Sequence, residues 1–282
     1  RSFFVPLPLL LKRRDIMLID DIKNRKVLSV WDAFGCGYAM FKQNITPALF
    51  ILLIIYFPIS LLSGYITIAV SNLAASVDID AIMSNQEMLM NFVNSSEYVK
   101  LAMYNLGSSL IDFILSPFGA LAMIFLTKEG LEGKMPTYKE ALSIAFSNAG
   151  RFICSMIVYT ICVFVLTMLG IIPGIFLSVV WSFYLQAMVL DNCKGIKSLG
   201  YSRELVKGRW WRTFLYIIVF NLISYALSYL IGVIFSFVGA SYFMIVIEKL
   251  VLSLVSMIFA AARTVIYINY QGNGKTAINM NV

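Results

Sequence analysis

Asp112 is the first residue whose type and place could do chemistry. It is the only charged side chain between Leu101 and Thr127. A carboxylate in the middle of a membrane span is costly, and it marks a proton or cation site, or a helix-packing partner. A span shifted along the chain would instead leave Asp112 near one surface, bonded to Ser108 or Ser109. Lys100 to Asp112 is about 18 Å of helix, so that shift would be large. Glu248 and Lys249 fall early in the last apolar run. They could join Asp112 in a buried ion pair, or sit at the outer interface before a span that begins near Leu250, where adjacent opposite charges are cheaper. Arg263 is expected to snorkel to the inner surface.

A second constellation is basic and aromatic: Lys207, Arg209, Trp210, Trp211 and Arg212, in the stretch KSLGYSRELVKGRWWRTF. The two arginines could pair bidentately with phosphate, which points to a lipid-headgroup or partner-docking site. The plainer alternative is anchoring, since Trp at the start of an apolar run sits at the depth of the aromatic belts. No histidine is present, which removes the commonest general base and metal ligand. No nucleophile–base pair or metal-ligand set is visible, so no catalytic residue, metal or cofactor is expected, and the chain does not read as an enzyme. Cys36, Cys154, Cys162 and Cys193 have no ligand spacing and are expected as reduced thiols. The run from Gly272 to Thr276 has the end of a phosphate-binding loop, but Asn269 stands where its first glycine is needed and no strand precedes it.

The elements that position these residues are membrane spans. Of 282 residues, 60% are hydrophobic and 13% charged, against about 45–50% and 25% in an ordinary soluble domain. The net charge of +7 lies between the apolar runs, where anionic headgroups explain it and nucleic acid does not. Six spans are expected, at about 45–70, 101–127, 152–170, 173–190, 213–238 and 241–267. Pro58 is expected to kink the first. Phe152 to Leu190 is uncharged and too long for one crossing, and Pro173 and Gly174 break it into two. Residues 1–27 form a lead, in which Met17 could be the natural start, 28–270 the membrane domain and 271–282 a polar tail. An acidic loop with Asp78, Asp80, Glu87 and Glu97 follows the first span.

With the N-terminus inside, all but Lys100 and Lys249 of the 22 Lys and Arg lie on or near the cytoplasmic side, as the positive-inside bias requires. The expectation is therefore an all-α, multi-pass bundle in the cell membrane with both termini cytoplasmic. Leu28–Gln43 reads as an amphipathic helix on the inner surface, with Trp31, Phe34, Tyr38 and Phe41 on one face. Pro136-Thr137 suits a helix start, with Ala141, Leu142, Ala145 and Phe146 on one face. A short amphipathic stretch precedes each odd-numbered span. Sliding the first by 165 residues pairs Gly35 with Gly200 and Lys42 with Lys207, which suggests a threefold pseudo-repeat.

The segment from Ile172 to Phe214 resembles a bacterial family of six-span proteins that includes the YciC-like and "glycerophosphoryl diester phosphodiesterase membrane domain" proteins. Pro173, Gly174, Asp191, Asn192, Ser202, Leu205–Gly208, Arg209 and Trp210 carry the likeness. The ending AARTVIYINYQG is similar to that family's closing span, with Tyr267-Ile-Asn269 where an Asp-Leu-Arg exit is common. A sister family of integral membrane proteins has a similar connector. The resemblance implies a six-span membrane domain. It does not imply the activity in the family's name, which belongs to a separate catalytic domain dependent on histidines. Two roles are expected: a non-enzymatic protein of envelope or lipid homeostasis, or one that docks a membrane or cytoplasmic partner through its basic face; alternatively, a small transporter or permease subunit that uses Asp112.

Overall fold

Backbone polar groups in a bilayer must be satisfied within the protein, and an apolar chain meets that demand segment by segment as helices. The computed structural model of the chain describes residues 17–25, 28–76, 85–147, 149–193, 195–237 and 241–273. The lead before Met17, Asp78 and Asp80, the expected break near Gly239 and the tail beyond Asn273 lie outside them. Among the described residues there is no strand. Six helical stretches among these residues are long and apolar enough to cross a membrane: Ile45–Leu73, Ser96–Leu131, Ala149–Leu169, Ile171–Leu190, Trp210–Ser236 and Tyr242–Gly272. The expected all-α, six-span bundle is the observed architecture.

In chain order, α1 (Met17–Asn24) and α2 (Val30–Gln43) lead in. The first span is α3 (Ile45–Ile51), a π turn (Leu52–Tyr56) and α4 (Phe57–Ser76). The short α5 (Gln86–Val93) precedes the second span, α6 (Ser96–Leu131). Next, α7 (Tyr138–Ser147) leads into the third span, α8 (Ala149–Leu169), and α9 (Ile171–Val180) with α10 (Tyr184–Leu190) makes the fourth. Last come the connector helix α11 (Lys197–Val206), the fifth span α12 (Trp210–Ser236) and the sixth, α13 (Tyr242–Gly272).

Local chemistry explains the irregularities. Pro58 has no N–H for the Ile54 carbonyl, and the turn before it widens so that the Phe57 N–H reaches the Leu52 carbonyl. A capping box starts α7: Thr137 N–H donates to Glu140 Oε2 (2.9 Å) and Glu140 N–H to Thr137 Oγ1 (3.4 Å). The break between the third and fourth spans is at Gly170, which corrects the expected break at Pro173 and Gly174. Pro173 lies in the first turn of α9, where its missing N–H costs nothing, and Gly174 lies so close to Thr167 that a Cβ there would collide with it. The fourth span is interrupted again at Trp181–Phe183. Ser202 of the connector repairs that gap, its hydroxyl accepting from Phe183 N–H (3.0 Å) and donating to the Val180 carbonyl (2.9 Å).

The sixth span is the hub, packing against α1, α2, α4, α6 and α12. Gly37 lets α2 approach so closely that a Cβ there would collide with the Ala262 backbone. The buried face of α2 is thus Ala33, Gly37, Met40 and Phe41. Trp31 and Tyr38 turn outward, which corrects the expectation that the four aromatics act together: a small residue, not an aromatic, sets the contact.

Burial is concentrated at one end. In α6 the buried residues run from Phe118 to Leu131; in α8 they are Phe152, Ser155 and Met156; in α12 Thr213, Tyr216 and Phe220; in α13 all but Val246 lie from Met257 onward. Each set is the half nearest the connectors. Both described chain ends lie there too, since the Asn269 amide donates to the carbonyls of Ile22 (2.7 Å) and Arg25 (2.9 Å). Toward the opposite end few residues of these helices are buried.

A polar cavity within the membrane domain

Between the spans lies an open cavity of about 730 Å³, within the roughly 300–1,000 Å³ usual for small-molecule sites. Four spans present polar residues to it at helical spacing, so that each set shares one face. The first span contributes Tyr56, Ser60, Ser63 and Thr67, and the second Asn105, Ser109, Asp112 and Ser116. The fifth gives Asn221 and Ser224, and the sixth Lys249, Ser253, Ser256 and Arg263. Gln186 of α10 completes the wall. Lys249 to Arg263 covers about 21 Å of helix, a large part of the roughly 30 Å hydrocarbon core.

Asp112 stands about 24 Å from the start of α6 and about 28 Å from its end. It is therefore mid-span, and its carboxylate accepts from the Ser116 hydroxyl, not from Ser108 or Ser109. Next to it, Tyr56 donates to the Ser116 carbonyl (3.0 Å), at the turn loosened by Pro117. The Tyr56 ring fits over Gly119, where a Cβ would collide with it.

Lys249 belongs to an unbroken sixth helix that begins at Tyr242, and it faces the cavity. Among the described residues it makes no ion pair with Asp112. Arg263, expected to snorkel inward, lines the cavity as well. Its Nη2 reaches Asn221 Oδ1 at 3.4 Å, while its Nε is buried without a partner. Gln186 is 3% exposed and its Oε1 has no partner either. Three of the cavity's hydroxyls bond to backbone carbonyls of their own helix: Thr67 to Ser63 (2.8 Å), Ser253 to Lys249 (2.9 Å) and Ser256 to Ser253 (2.8 Å). Their oxygen lone pairs remain for a solute or water. Lys249 is a candidate neighbour of Asp112 from the sequence, and Arg263 is expected at the inner surface instead; Gln186 and the serine faces are residues that sequence reasoning missed. Their i, i+4, i+7 spacing was the signal that could have found them.

The basic connector is built differently from its expected use. Arg209 points into the protein: Nη1 donates to the Tyr270 carbonyl (2.8 Å), Nη2 to the Asn273 carbonyl (2.6 Å), and the guanidinium lies 5.0 Å over the Tyr270 ring. It caps the last turn of the sixth span, where carbonyls lack intrahelical partners. Trp210 stacks on Phe176 and Phe214 and donates from Nε1 to the Phe176 carbonyl (3.3 Å). Lys207, Trp211 and Arg212 remain exposed, with Lys207 3.6 Å from Glu204. Asp191 receives the Tyr267 hydroxyl and the Gln271 amide (2.7 Å). Burial pushes its carboxyl above the usual range despite these donors. Burial also pushes the Cys193 thiol up to about 11 and the Cys36 thiol up to about 12. All four cysteines are free.

Among the described residues no three His, Cys, Asp or Glu side chains converge as metal ligands. Residues 45–270 match the family described as "Domain of unknown function (DUF7847)". No curated protein and no solved structure matches the chain.

Proposed function

The chain belongs to the DUF7847 family, and on that premise we propose that it is a membrane transport protein, a small transporter or permease subunit, whose working part is the polar cavity. The single observation that supports this most is the lining: four spans turn their polar faces, with Asp112 at mid-depth, onto one space inside an otherwise apolar bundle. Ionisable groups inside a membrane that face a common cavity mark a solute or ion pathway. The role is one of binding and passage, not of chemistry. We place the connector end in the cytoplasm of the cell membrane because the basic residues collect there.

The experiment uses Cys36, Cys154, Cys162 and Cys193 replaced by serine and one new thiol at a time, in sealed vesicles. Ser256→Cys, mid-membrane and cavity-lining, is expected to react with a membrane-impermeant thiosulfonate, because only a water-solvated thiol forms thiolate. Leu222→Cys, which faces outward on the fifth span, is expected not to react. A Ser256→Cys protein as inert as Leu222→Cys would overturn the proposal.

A second role, docking of anionic headgroups or a membrane or cytoplasmic protein at the basic face, is supported by Trp211, which is 75% exposed beside the exposed Arg212. It would rest on Lys207, Trp211 and Arg212, since Arg209 is engaged internally.

A further inference from the structure

We infer that the deep end of the cavity binds a small oxyanion, free or as a lipid headgroup, and that Arg263 is its counter-charge. The inference rests on the transport role proposed for the cavity and adds the class of solute. Taking a charge out of water without a partner costs several kcal/mol, so buried charges are normally paired. No carboxylate among the described residues pairs with Arg263. Of its five N–H donors, one meets Asn221 at 3.4 Å and the Nε donor meets nothing. A planar guanidinium fork held open in this way matches the two oxygens of a carboxylate or phosphate.

The neighbours agree in height. Asp191 is joined to Tyr267. Gln186 lies five residues before Asp191 and Arg263 four before Tyr267, each about 6–8 Å of helix. The Gln186 amide and the Arg263 fork therefore lie at one level, at the cavity's floor. The unpartnered Gln186 Oε1 exchanges places with two N–H donors when the amide turns over.

The charges above favour the same sign. Lys249 is a second cation on the same face of the sixth span, and Asp112 is the single acid among the cavity residues. That acid already accepts from Ser116. An anion that enters past Lys249 thus travels between two fixed cations, whereas a cation would meet Arg263 with no acid beside it.

The test is the charge preference of the Ser256→Cys protein in the cysteine-replaced full chain. Ser256 lies about 10 Å along the helix from Arg263. The rate with a sulfonate-bearing thiosulfonate is compared with that of a trimethylammonium one. Adding Arg263→Gln should slow the anionic reagent and speed the cationic one by roughly tenfold each, lowering the anion-to-cation ratio on the order of a hundredfold, as expected for removing one charge at that range and an effective dielectric near 20. Arg263→Lys should keep the ratio. If neither reagent labels Ser256→Cys, the cavity is closed and the transport role itself fails. If both label it and Arg263→Gln leaves the ratio unchanged, only the oxyanion inference is overturned.

Protection distinguishes the sources. In dodecyl maltoside, inorganic phosphate that slows labelling several-fold indicates a free oxyanion. Slowing by added phosphatidylglycerol, with none by phosphate, indicates a headgroup. Slowing by neither, or slowing that survives Arg263→Gln, overturns the inference.

Discussion

Arg209 shows how one side chain can serve its own fold in a place that suggests a ligand. Its two donors take carbonyls from the last turn and cap of α13, which are the groups a helix leaves unsatisfied and the negative end of its dipole. Hydrogen bonds to charged groups contribute about 1.5–3 kcal/mol each. Arg209→Ala, which removes both bonds, is expected to cost about 3 kcal/mol, seen as a lower thermal unfolding midpoint in detergent. Arg209→Lys should recover only part of it, because an ammonium cannot span both carbonyls as the fork does. Equal midpoints for the three proteins would remove the capping role. The positions of these charges were legible in the sequence, but their directions were not. Arg209 and Tyr270 are 61 residues apart, and nothing in the local run KGRWWR tells inward from outward.

The contact of α2 with α13 depends on a residue that lacks a side chain. With a Cβ at Gly37 the two backbones could not keep their present distance at Ala262, and overpacking of this kind typically costs about 1–3 kcal/mol. Gly37→Leu should therefore lower the unfolding midpoint clearly. Gly107→Ala, where a Cβ meets nothing within 4 Å, should raise it slightly, since alanine is the better helix former by up to about 1 kcal/mol. Similar shifts for both would mean that helix propensity, not the close approach, governs Gly37. The helices themselves were predictable from apolar length, although the break in the third apolar run falls at Gly170, three residues before Pro173. Which face of α2 is buried was not, because aromatic period and glycine period compete, and the approach of a second helix decides between them.

On the scale of the whole molecule, the two basic connectors and both described ends gather at one end, and that end is the packed one. The orientation proposed from Lys and Arg predicts that Asn94→Cys, exposed before the second span, reacts with an impermeant thiosulfonate on intact cells. Lys207→Cys, exposed on the connector, should react only after permeabilisation; the reverse pattern would invert the topology. The closed end is sealed by side chains such as Tyr267 and Tyr270, and the charges of the cavity stand above that seal.

The sequence alone determined the helical class, the number of spans and the presence of a break in the third apolar run. Each depends on composition or spacing within one segment, where apolar length and backbone hydrogen bonding leave little choice. Only the tertiary structure decided that Lys249 and Arg263 face Asp112's cavity, that Ser202 repairs the fourth span and that Arg209 is turned inward. These depend on which helices meet, on which faces and how far along their length. Residues tens to hundreds of positions apart set that, through packing that no single segment contains.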